Sequence, residues 1–212
     1  MNNDVKNAKE ITKKESTSSF SASKFEENLV GNCIVYNKNQ TNSYYQDCVI
    51  YIYECNSSYI KGIIINKLLF GSASIECRKN KKTPIKELKS IYEELYQGGS
   101  ENPAHGFVLY PKDEYEIDEQ YSSIHGDIAV STSFGILQDI MEGSGPNKKI
   151  IAMGHCSWKR GELEWQIFNN EWLIAPCSIE LIFDTKYDKR WQKARILSGI
   201  NLSGYIKQSG LA

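Results

Sequence analysis

Apolar residues enter the chain in earnest near Leu29, and from there their spacing alternates between two periods. Residues 32–36 and 48–53 are dense in β-branched and aromatic side chains, which predicts two strands. In the second, Val49, Tyr51 and Tyr53 alternate with Cys48, Ile50 and Ile52, so both faces are apolar and the strand is predicted to be covered on both sides. Residues 60–66 predict a third strand, too short for a helix and too apolar for a sheet edge. Further strands are predicted at 106–110, stopped by Pro111, then at 128–130, 149–154 and 171–175, the last ending at Pro176.

The helical period appears in four places. Thr83-Pro84 supplies a cap and a first-turn proline for a helix whose face is Ile85, Leu88, Ile91, Tyr92 and Leu95, with Gly98 as its left-handed stop. Ser133 caps a second helix with Ile136, Leu137, Ile140 and Met141 inward, ending at Gly143. A short helix is predicted over 161–168. Thr185 and Asp188 have the spacing of a shortened capping box, opening a helix that turns Tyr187, Trp191 and Ala194 inward and stops at Gly199. Three strands followed by mixed strands and helices, without regular βαβ alternation, predict an α+β fold.

Residues 1–28 are different in kind. They hold few apolar side chains, so they cannot offset the entropy of ordering, and a disordered N-terminal tail is expected ahead of a single domain over 29–212. Five lysines balance five acids there, which does not make a basic nucleic-acid arm. Across the 212 residues, 25 Lys and Arg face 26 Asp and Glu, a formal charge of -1, so no global field draws the chain to nucleic acid or anionic lipid. No run of about twenty apolar residues exists to span a bilayer, and no apolar core of a secretory signal occupies the first thirty residues. The six cysteines lack any C-x-x-C spacing and read as free thiols in a reducing compartment, so a cytoplasmic location is expected.

Candidate chemistry concentrates at Gly154-His155-Cys156-Ser157-Trp158, expected to be a turn between strand and helix. It has the outline of a nucleophile elbow, but Trp158 stands where the elbow needs glycine. Neighbours on an extended chain also point apart, which separates His155 from Cys156. His105, His125 and His155 have no local pairing of the kind a metal site uses and read as scattered turn histidines; no metal or cofactor is expected. Gly98-Gly99-Ser100 follows a predicted helix, the wrong end for a phosphate. The loop 142–148 has the Gly and Lys of a phosphate loop in reversed order and reads as a turn. The basic run 78–82 is a solvated connection.

Several blocks together resemble the bacterial YqgE/AlgH family. They are Gly62-Ile63-Ile64-Ile65-Asn66-Lys67, Gly98-Gly99 with Gly106-Phe107-Val108-Leu109, Ser131-Thr132-Ser133, Gly154 with Trp158, Gly161-x-Leu163-Glu164, Trp172-Leu173 with Pro176, and Arg190-Trp191 with Ala194. The resemblance implies a mixed β-sheet bent into a partial barrel with helices packed outside. It implies no settled activity, although AlgH-type proteins carry a transcriptional-regulator label. Where this chain has His155 and Cys156, the family commonly has Tyr and a small residue such as Ala, which argues against a shared nucleophile. The chain departs from the family at Leu68, where a proline is usual after the Asn-Lys pair.

The reading that follows is a non-enzymatic cytoplasmic binding or regulatory domain with an unidentified protein or small-molecule partner. The alternatives are an enzyme centred on Cys156 and His155, and a DNA-binding regulator. The candidate binding region is Asn66, Lys67, Gly98, Gly99, Gly154, His155, Cys156 and Trp158, where polar strand ends meet glycines.

Overall fold

The computed structural model describes residues 29–38, 43–69, 94–116 and 119–208. Their strands are β1 (Cys33–Tyr36), β2 (Val49–Cys55), β3 (Tyr59–Ile64), β4 (Leu95–Gln97), β5 (Glu101–Pro111), β6 (Ser122–His125), β7 (Ile128–Ser131), β8 (Ile150–Lys159) and β9 (Trp172–Ala175). The α-helices are α1 (Phe134–Glu142), α2 (Glu162–Phe168) and α3 (Tyr187–Gln208), with a π-helical turn at Glu180–Asp184. The strands form one sheet in the order β6-β7-β5-β8-β3-β2-β1-β9, with β4 paired to β8 alongside. The β4–β8 pair is parallel and the others are antiparallel, so the sheet is mixed and the fold is α+β.

Strand alternation divides the apolar residues between two faces. Cys33, Val35, Val49, Tyr51, Ile63, Phe107, Leu109, Val130, Ile150 and Ala152 join one continuous inner cluster. Ile34, Ile50, Ile52, Ile60 and Ile64 lie in another, with Leu163 of α2 and Trp172. The expectation that β2 is apolar on both faces therefore holds, because each face meets its own layer. The sheet curls over the inner cluster until β6 reaches β2. The ring Nε2 of His125 lies 2.9 Å from the Tyr53 carbonyl oxygen and ties the two strands together. The result is a half-barrel.

Helices close this half-barrel from two sides. On α1, Ile136, Leu137 and Ile140 pack against Val108 and Tyr110 of β5. Ser133 caps the helix as expected, its hydroxyl oxygen accepting from the Gly135 N–H at 3.1 Å, and Gly143 ends it in the left-handed region. On α3, Ala194 is buried in the inner cluster with Leu181 and Ile182 of the π-helical turn, and Tyr187 and Trp191 pack beside them. Arg190 is buried there. Its Nε donates to the Thr185 carbonyl at 3.0 Å, its Nη1 donates to the Ile65 carbonyl, and its guanidinium lies 5.3 Å from the Tyr96 ring. It ties the helix start to the end of β3.

Some expected boundaries are corrected. Leu95 is not helical but opens β4, and Gly98 is not a left-handed stop; it continues from β4 toward β5. The rest of the helix expected from Thr83, the basic run 78–82 and the tail 1–28 lie outside the described residues. Residues 154–158 are not a turn, since β8 runs through them to Lys159. Thr185 does not cap α3; its hydroxyl donates to the Glu180 carbonyl at 2.8 Å, closing the π-helical turn instead. Nor does α3 stop at Gly199. Glycine costs a helix interior only about 1 kcal/mol, and it ends a helix when it takes the left-handed conformation. Gly199 does not adopt it.

Candidate functional site

The candidate residues gather where β8 changes partners. Its first half, Ile151 to Met153, lies beside β4 on one side and β5 on the other, while Cys156 to Lys159 pair with β3. Gly154 sits at the change with φ of 73°. The chain from Gly98 to Pro103 passes directly across it. A Cβ on Gly98 would lie 2.3 Å from the Gly154 carbonyl oxygen, and one on Gly99 would lie 2.0 Å from the His155 carbonyl carbon. Backbone bonds stitch the crossing together, with Gly98 N–H donating to Met153 O and Ile64 N–H donating to Gly98 O, both at 2.8 Å. These glycines permit a close backbone approach.

Gly154 also resets the alternation of β8. Ile150 and Ala152 face the inner cluster, so strict period two would send residues 154, 156 and 158 inward. Instead Cys156 and Trp158 join the outer cluster, and the His155 ring packs inward on Phe107 at 5.6 Å between centroids. The register between β5 and β8 shifts at the same place. This is a β-bulge moving every later side chain to the opposite face.

Each candidate residue then has a definite place. The Asn66 amide is consumed locally, accepting from Val49 N–H at 2.8 Å and donating to the Asp47 carbonyl at 2.7 Å. Lys67 donates to the Tyr44 carbonyl at 2.5 Å. Trp158 is buried among Tyr45 and Trp172. Cys156 is buried nearby, and burial pushes its thiol up to about 12, so it is protonated near neutral pH. His155 lies on the other face, away from Cys156, as expected from the extended chain.

His155 lines a cleft of about 390 Å³ at the mouth of the half-barrel, a volume typical of small-ligand sites. Phe107 forms its floor, with the rings of Tyr53, His105 and His155 between 5.1 and 5.6 Å from it. Thus two of the three histidines converge, while His125 serves the β6–β2 junction. At the rim, Lys61 Nζ lies 3.1 Å from Glu54 Oε2. Burial lowers the His155 pKa, and Lys61 acts in the same direction, which favours the neutral ring near pH 7. His155 is only 7% exposed and its Nδ1 has no hydrogen-bond partner; the buried Ser122 hydroxyl on the same cleft wall has none either. Buried polar atoms are nearly always satisfied, so two orphans in one cleft stand out.

Sequence reasoning found His155 but missed Ser122, Phe107 and Tyr53, which lie on three other strands. The positively signed φ at Gly154 is the feature that brings them together, and Gly preceding His155 was its only trace in the sequence. Among the described residues, no group of three or more His, Cys, Asp or Glu could hold a metal ion. No helix among them is long and apolar enough to cross a membrane.

Comparison with known proteins places this architecture. The AlgH-like family model, DUF179, matches residues 33–203. A UPF0301 protein of Vibrio vulnificus is 32% identical over 189 residues, covering 87% of this chain and 100% of the relative. One from Pseudoalteromonas translucida is 31% identical over 170 residues, covering 80% of this chain and 90% of its own length. The solution structure of the AlgH protein from Pseudomonas aeruginosa is 26% identical with a TM-score of 0.65, covering 87% of this chain and 96% of that one. A crystal structure of a Corynebacterium diphtheriae protein shares the fold at 16% identity and a TM-score of 0.52. With the model spanning most of the sheet and α3, the chain belongs to the AlgH-like family, whose UPF0301 members are of uncharacterised function.

Proposed function

We propose that this protein is a non-enzymatic cytoplasmic binding or regulatory domain, formed by residues 29–212 behind a tail of 1–28, and that its ligand occupies the cleft at the half-barrel mouth. The observation that carries this reading is the pair of unpartnered polar atoms, His155 Nδ1 and Ser122 Oγ, on an aromatic-floored cleft. Both atoms are enclosed in the unliganded protein, and a bound molecule that opens the wall and hydrogen-bonds them removes the cost, about 1–3 kcal/mol each, of leaving buried groups unsatisfied. The neutral imidazole offers both a donor and an acceptor, and the serine hydroxyl does the same. The floor of Phe107 and Tyr53 suits a flat or apolar portion of the ligand. Cys156 does not fit a catalytic role here, because its thiol is protonated and faces away from the neighbouring His155 ring.

The test is retention from a cell extract. Full-length protein is incubated with the small-molecule fraction of a bacterial lysate and repurified, and the released molecules are identified by mass spectrometry. His155→Phe and Ser122→Ala variants run in parallel, with folding checked by circular dichroism. A molecule held by the parent chain and lost from both variants supports the reading. Retention of nothing, or of the same set by all three proteins, refutes it.

A further inference from the structure

A second feature lies in the inner cluster, at residues that do not line the cleft. Cys33 of β1 and Cys177, two residues beyond β9, are free thiols whose sulfur atoms lie 2.8 Å apart. Residue 33 is opposite Ala175 in the β1–β9 register, so the sheet itself brings the two cysteines together across 144 positions of sequence. Their environments differ. Cys33 has no exposed surface, whereas Cys177 is partly exposed and lines a groove of about 710 Å³ with Gly31, His125, Ile128 and Ile179. Beside the sulfurs is Tyr51, whose buried hydroxyl has no hydrogen-bond partner and whose ionisation both cysteines disfavour.

We propose that Cys177 and Cys33 form a peroxide-sensitive dithiol, with Cys177 the thiol attacked through the groove and Cys33 the thiol that resolves it into a disulfide. In the first step a hydroperoxide oxygen bonds to the Cys177 sulfur as the O–O bond breaks. The sulfur is oxidised by two electrons to a sulfenic acid, and the peroxide leaves as the alcohol, or as water from hydrogen peroxide. In the second step the Cys33 sulfur attacks the sulfenic sulfur. The S–S bond forms, the S–O bond breaks, and the hydroxyl departs as water with the Cys33 proton. The buried Tyr51 hydroxyl, poorly served by thiols, can donate to the sulfenic oxygen between the steps. Burial raises the Cys177 pKa, which slows the first step near neutral pH. The disulfide fastens β1 to the segment leading into the π-helical turn and α3.

Full-length protein treated with hydrogen peroxide, then denatured and alkylated, is read by intact mass and by non-reducing peptide mapping. The expected product is a chain lighter by two hydrogens, with a peptide joining Cys33 to Cys177, reversed by dithiothreitol. Its melting temperature rises by roughly 5–15 °C, as closure of so long a loop implies. In Cys33→Ala, and in Cys33→Ser as a second replacement, a sulfenic acid accumulates on Cys177 and is trapped by dimedone. In Cys177→Ser, Cys33 stays unmodified. Oxidation confined to Cys55, or a cross-link between chains, would overturn the proposal. Sulfenic acid on Cys33 in the Cys177→Ser protein would overturn the order of attack.

Discussion

Replacing Gly99 with alanine tests the crossing that builds the cleft. The new methyl carbon would lie 2.0 Å from the His155 carbonyl carbon and 2.1 Å from its oxygen, against 3.4 Å for ordinary contact. The obstructing atoms are backbone, so no side chain can rotate away, and the two chains must separate by about an ångström or more. That separation strains the neighbouring bonds from Gly98 to Met153 and from Ile64 to Gly98. Overpacking of this kind costs about 1–3 kcal/mol, and two weakened buried hydrogen bonds add about 1 kcal/mol each. The expected loss is therefore about 3–5 kcal/mol, a large share of the roughly 5–15 kcal/mol a domain commands. Gly126→Ala is the control. Its φ of 62° is unsuited to alanine, a strain Gly99 does not carry, but nothing lies within 4 Å, so it should lose only that left-handed strain of about 1–2 kcal/mol. Urea denaturation followed by circular dichroism, with a common m-value, measures both. Equal losses in the two variants would show that the crossing yields freely and that close approach is not why glycine stands at 99.

Three further outcomes are expected. Ser133→Ala removes the hydroxyl that caps α1 and should cost about 1 kcal/mol in the same urea assay, with Ser133→Asp restoring most of it. Burial lowers the His155 pKa below its ordinary 6.5, so between that value and the folded one the unfolded chain binds more protons. This contribution to stability is complete above about pH 6.5 and falls as the pH drops through the window; His155→Phe should flatten that part of the profile and weaken retention of any cleft ligand. Finally, with its thiol pushed up to about 12, Cys156 should resist iodoacetamide in the native protein near pH 7 while the partly exposed Cys55 is labelled before it. Rapid labelling of Cys156, located by peptide mapping, would contradict its burial.

Local patterns were legible wherever the local residues themselves supply the cause. The two-faced alternation of β2 requires covering on both sides in any fold that buries it, and Ser133 with Gly143 brackets α1 using only bonds within a few residues. The inward Tyr187, Trp191 and Ala194 follow from helical period in the same way. The failures share a different cause. Gly98 looked like a helix stop because glycine serves both a left-handed cap and a close backbone approach, and only the strand crossing overhead decides between them. Thr185 was drawn into a turn the preceding residues had already begun.

The sequence by itself determined the α+β class, most strands, the capped α1 and the separation of His155 from Cys156, since these depend on periods and on the residues of one segment. The tertiary structure decided which face His155 joins, because a single bulge at Gly154 inverts the alternation and no pattern of apolar residues marks it. It also decided that Ser122, Phe107 and Tyr53 meet that ring, and that Cys33 meets Cys177, since both depend on strand order in the sheet rather than on distance along the chain. The glycines at 98, 99 and 154 were visible from the start as punctuation, and the fold makes them the point where three strands come within contact of one another.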